Sequence, residues 1–345
     1  MWPCFAVFVT CLMTFPPDSF AQARSRARLE SVLLVANQAD HTLSIINPAT
    51  AKQIAAVSEG GTTGHEVAAS PDGRTAYVPI YGDSGVGKPG SDGRNMVVID
   101  IATRKVIGNV DFGHGVRPHC VIYDRNSDLL YVTTELDQTV TAVDPHTLKV
   151  VGAIPTTQAE SHMLAISHDG RRGYTANVGP GTISMLDMTA RKTITVIPIS
   201  PTIQRVSISN DDSMVFTADQ TKPQLAVIDT SAIKLKAWVP LPAIGYGTAS
   251  TKDGHWLLVA LPSVNKVAVI DLGTLKVART IDVGHGPAEI LVRPDGLVAY
   301  VSCPNGNQVA VIDLGQWKVE APISAGEYAD GLGWAGTPPT KSTKY

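Results

Sequence analysis

The sequence predicts an all-β protein, a seven-bladed β-propeller of four-stranded antiparallel blades. Three observations carry that prediction. A strand running into an acidic or amide turn recurs at Asn47, Asp100, Asp144, Asp187, Asp229, Asp271 and Asp313, at intervals of 53, 44, 43, 42, 42 and 42 residues. A period in the low forties with several short strands per repeat is the mark of a propeller blade. The turn formers are abundant, with 30 Gly and 23 Pro among 345 residues, as a chain that reverses direction many times requires. Finally, the chain ends are complementary. The first repeat, Val32 to Val57, lacks a first strand, and the last segment, Ala329 to Ala335, offers a first strand and nothing after it. Pairing the two completes the closing blade and hides the sheet edges.

The elements follow in order. Residues Phe5 to Phe15 are mostly apolar, Pro16 and Pro17 stop them, and Ala21-Gln22-Ala23 places small residues at −3 and −1 of a cleavage site. This predicts a signal peptide over 1–23, cleaved after Ala23, and a periplasmic or secreted mature chain forming one domain over 24–345. No apolar run approaches the roughly 18 residues of a membrane-spanning helix. Cleavage would remove Cys4 and Cys11; Cys120 and Cys303, four blades apart, are expected to be buried free thiols.

Within each repeat, a first strand ends in a turn such as Ser70-Pro71-Asp72-Gly73 or Arg293-Pro294-Asp295-Gly296. The second strand is apolar and ends in a small-residue corner, as in Tyr131-Val132-Thr133 or Tyr174-Thr175-Ala176-Asn177. The third ends in Val-Ile-Asp or its equivalent, where the acidic side chain accepts a backbone hydrogen bond and closes the hairpin. These residues are structural. Residues 81–95, rich in Gly, Ser, Asp and Pro, form an insertion that accounts for the interval of 53; the two readings are a lid over the channel mouth and a disordered surface loop.

The sequence also excludes functions. Lys and Arg total 28 against 31 Asp and Glu, for a net charge of −3, which gives no strong attraction to nucleic acid. Gly82 to Lys88 fits the start of a phosphate-binding loop. However, Pro89 replaces the hydroxyl residue, and the motif needs a helix after it, so nucleotide binding is rejected. No Gly-x-Ser-x-Gly elbow supports acyl transfer through a serine nucleophile.

The corner, the Val-Ile-Asp turn and the x-Pro-Asp-Gly turn together resemble the YVTN-type propeller repeat, grouped with lactonase-like propellers, across nearly all of the mature chain. The resemblance implies the fold. For function it implies a range, from envelope binding proteins to sugar-lactone hydrolases.

Candidate site residues emerge where repeats differ. Five residues before each first-strand turn stand His65, His119, His162, Gln204, Tyr246 and Ala288, with Asp330 at the corresponding place in the closing strand. First strands line a propeller's channel, so three histidines from consecutive blades should gather near one mouth. Convergent imidazoles are a metal-ligand set suited to zinc, copper or iron, while the opposing reading is a polar channel lining. Glu135 and Glu160 are candidate bases, and Arg117 a candidate holder of an anionic group. Asn37, Asn177, Asp219, Gln204, Arg205, Tyr246 and Asp330 are candidate ligand contacts.

The expected function is therefore an exported propeller that binds a small ligand, with a metal at His65, His119 and His162, and acts as a lactonase-like hydrolase. The competing readings are a noncatalytic envelope propeller that binds a protein or glycan and a copper-handling redox protein. The chain is expected to be a monomer.

Overall fold

In the computed structural model, which describes Met1 and residues 31–83 and 85–336, seven antiparallel sheets follow one another around a ring. The expected signal peptide and its cleavage point lie outside the described residues. In the first complete blade, strands Ala68–Ala69, Thr75–Gly82, Asp92–Asp100 and Lys105–Asp111 pair in chain order. The blades that follow repeat that order, with innermost strands at Pro118–Asp124, Ser161–Ile166, Ser207–Ile208, Thr248–Ser250 and Ile290–Val292. The last of these splits its outer strand into Lys318–Val319 and Ile323–Ser324. Closure is as the sequence predicts: Ala329–Ala335 pairs antiparallel with Val32–Asn37, placing Leu34 opposite Gly333.

Local chemistry explains the repetition. Asn47, Asp100, Asp144, Asp187, Asp229, Asp271 and Asp313 each accept a backbone N–H two or three residues on. At the opposite corner Ser70, Ser167, Ser209 and Thr251 each donate to an aspartate two residues on and accept the amide five residues on. The second and third strands are buried on both faces and supply the apolar layers between blades, such as Leu34, Ile45, Val78 and Ile99. The outermost strands alternate with solvent. Cys120 and Cys303 are buried free thiols, and burial pushes the Cys303 thiol up to about 11.

The insertion is partly an extended hairpin. Ile80 pairs with Asn95 and Gly82 with Asp92, so the excursion beyond the sheet begins only after Gly82. Among the described residues no helix is long and apolar enough to cross a membrane.

The link into this blade holds a buried acid. Glu59 is 1% exposed; its Oε2 accepts the Gly64 amide at 3.1 Å and its Oε1 has no partner. Burial pushes its carboxyl up to about 7, from an ordinary value of 4.5. Between those values the folded chain holds a proton that the unfolded chain has lost, so stability falls as pH rises through this window. Glu59→Gln should therefore raise the melting temperature at about pH 8, by the equivalent of about 3 kcal/mol, and change it little at about pH 4. Equal shifts at both pH values would contradict the assignment.

Candidate active site at the channel mouth

The backbone repeats a local irregularity at the channel. Thr63, Arg117, Glu160 and Tyr328 all have positive φ, between 51° and 56°, two residues before His65, His119, His162 and Asp330. Gly286 holds the same place before Ala288. The innermost strands also slip register between Pro118 and Val121 and between Ser161 and Met163, so His119 and His162 stand in bulges. A bulge turns one side chain away from the pleat, here into the channel, and left-handed backbone at non-glycine residues is held only where the surrounding structure enforces it. Gly331, beside Asp330, permits the closing strand's approach, because a Cβ there would sit 2.2 Å from the His65 carbonyl oxygen.

The result is a mouth cavity of about 440 Å³ whose wall includes His65, His119, His162, Gln204, Arg205, Tyr246 and Asp330. Seven candidates from six separated stretches of chain thus share one chamber. Gly85 and Val86 of the insertion also form part of its wall.

The three histidines meet, packed ring against ring. The His119 and His162 centroids are 3.5 Å apart with a 32° tilt, and His65 lies 5.0 Å from His119. Tyr81 meets His119 and His162 edge-on. His162 Nδ1 bonds Glu135 Oε1, and the Tyr81 hydroxyl donates to Glu135 Oε2 at 2.7 Å. A carboxylate only accepts, so His162 Nδ1 is the donor in this pair. Gln38 Nε2 lies 2.8 Å from His65 Nδ1 and also donates to Asp330. His119 is 1% exposed, with its Nδ1 unpartnered. Burial first, then the neighbouring His162 and His65, hold its pKa well below the usual histidine range, so it is neutral.

Under this wall lies a buried ionic cluster. Arg205 Nη1 donates to Glu66 and lies 3.8 Å from Glu289, and its Nη2 donates to Asp330 at 3.3 Å. The guanidinium sits 5.0 Å from the Tyr246 ring centre. Burial and the adjacent Glu66 push Glu289 well above the usual carboxylate range. Burial opposes ionisation of Asp330, yet bonds from His65 and Gln38 and the charge of Arg205 hold its pKa low.

The remaining candidates lie elsewhere. Glu135 is 3% exposed and stands behind His162. Arg117 is committed to the insertion, through Asp92 Oδ1 at 2.6 Å and the Lys88 carbonyl at 2.8 Å. Glu160 accepts the Gly179 amide at 2.7 Å on the rim. Asn37 and Asn177 are fully buried and bond Thr42 and Ser44, and Thr182 and Ser184, of their own blades. Asp219 closes its own turn through Thr221 and Gln224. Sequence reasoning missed Gln38, Tyr81 and Glu289. Glu66, Arg205 and Glu289 each follow a channel position by one residue, and that second register was the available signal.

Among the described residues no group of three His, Cys, Asp or Glu is placed to hold a metal ion, and two of the three histidine Nδ1 atoms already face Glu135 and Gln38.

With fold and site in view, the comparisons define a class. The family described as "Lactonase, 7-bladed beta-propeller" matches residues 59–236, just over half of the chain, and the chain belongs to that family. No curated protein matches the sequence. Solved structures are similar in fold. A periplasmic gluconolactonase from Pseudomonas aeruginosa has a TM-score of 0.70 at 16% identity, covering 89% of this chain and 99% of that one. A hydrazine synthase chain from Kuenenia stuttgartiensis has a TM-score of 0.71 at 19% identity, covering 82% and 92% respectively. A functionally unknown protein from Desulfotomaculum acetoxidans reaches 0.74 at 14% identity, covering 89% and 99%.

Proposed function

We propose that this protein is an exported hydrolase of small lactones, acting in the mouth cavity with His162 as general base. The observation that carries the reading is the buried chain from the Tyr81 hydroxyl through Glu135 to Nδ1 of His162, a residue of the cavity wall, which leaves Nε2 as the ring nitrogen to act as base. His162 takes a proton from water as its oxygen bonds the lactone carbonyl carbon. Glu135 stabilises the imidazolium, and the ring C–O bond breaks as the proton passes to the leaving oxygen. The stacked His119 stays neutral, so it adds no charge that would oppose proton transfer to His162. The family supports the substrate class. The apolar segment before Ala23 supports export, and the periplasmic gluconolactonase neighbour is consistent with it.

Hydrolysis of sugar lactones, followed with a pH indicator, tests the reading: turnover should require His162. Noncatalytic binding is the outcome if saturable ligand binding is found without turnover. Metal dependence is tested separately by elemental analysis of untagged protein. The histidine–carboxylate mechanism predicts full activity with only a trace of transition metal. A stoichiometric ion whose removal abolishes activity would overturn that metal-free mechanism.

A further inference from the structure

We propose that the mouth cavity is a charge filter, taking neutral ring-closed ligands and rejecting carboxylate anions of the same skeleton. The inference rests on the lactone reading and names the charge class of the ligand at that site.

Arg205 in the cavity wall and Arg117 beside the insertion are already matched. Arg117 is held by Asp92 and by the Lys88 carbonyl of the insertion. Arg205 is 4% exposed and surrounded by Glu66, Asp330 and Glu289. Even with Glu289 holding a proton, one guanidinium faces two further acids, and Glu135 lies behind His162. His119 contributes no positive charge. A carboxylate entering this chamber therefore loses its hydration and meets no unmatched cation, a costly exchange in a poorly solvated site.

A neutral ring meets other chemistry. The wall offers the amides of Gln38, Gln204 and Asn305 and the rings of Tyr81, Tyr246 and Tyr328, partners suited to hydroxyls and to the faces of a sugar ring. Hydrolysis turns a neutral lactone and a water into a hydroxy acid, which ionises at neutral pH. The charges that admit the substrate thus favour departure of the product.

The test uses the full mature chain and two probes of one skeleton, D-gluconolactam, which resists hydrolysis, and D-gluconate. Calorimetric titration near neutral pH should show the lactam binding at least about tenfold more tightly. Gln204→Arg, which adds an unmatched cation to the wall, should reverse the preference without needing to disturb the buried cluster. If the wild-type protein binds gluconate as tightly as the lactam, the filter is overturned and lactone hydrolysis still stands. Binding of neither probe overturns both. A lactam preference in a protein without lactone turnover upholds the filter and removes the hydrolytic reading.

Discussion

Arg205→Ala is expected to destabilise the folded protein by about 3–5 kcal/mol, the cost of removing one partner from a buried ion cluster. The substitution leaves Glu66 and Asp330 buried without the guanidinium that now bonds both, and it removes the face-on contact with Tyr246. Because the cluster joins the closing strand to the segments leading into the innermost strands of other blades, the loss acts on ring closure as well as on the site. Arg205→Lys should recover only part of it, since an ammonium cannot span two carboxylates with a planar fork. Denaturant unfolding of the two variants at neutral pH checks this. A loss below about 1 kcal/mol for Arg205→Ala would mean that the carboxylates shed their charge or reach water.

The second large effect belongs to the histidine–carboxylate pair. His162→Ala should lower kcat for lactone hydrolysis by about 10²–10⁴-fold, the usual contribution of a positioned general base. Glu135→Gln should lower kcat in the same direction with KM nearly constant, because Glu135 acts through His162 and lies behind it. The split between kcat and KM separates this role from a merely structural one. A rise in KM together with a lowered melting temperature would point to a packing role for Glu135.

The fold was legible because a fixed period is hard to mistake. The spacing of Asp144, Asp187, Asp229, Asp271 and Asp313 located every corner, and the incomplete first and last repeats announced the closing blade. The same period placed His65, His119, His162 and Asp330 in one register, and the structure brings them to one chamber. Other features depended on three-dimensional detail. The positive φ of Thr63, Arg117, Glu160 and Tyr328 leaves no trace in residue type, since none is glycine or asparagine. The bulges that turn His119 and His162 into the channel arise from how each strand enters its sheet. Asn37 and Asn177 look like rim contacts in sequence, yet a buried amide with threonine and serine partners in reach bonds its own blade. Arg117 reads as a free cation because its partner Asp92 lies across the insertion, 25 residues away.

Lactone turnover by the wild-type protein and by His162→Ala, compared in a pH-indicator assay alongside their melting temperatures, tests the central claim most directly. The account predicts protein-dependent hydrolysis by the wild type and near-complete loss in a variant that melts at nearly the same temperature. Equal turnover in the two proteins, or none above the uncatalysed rate in the wild type, would contradict it.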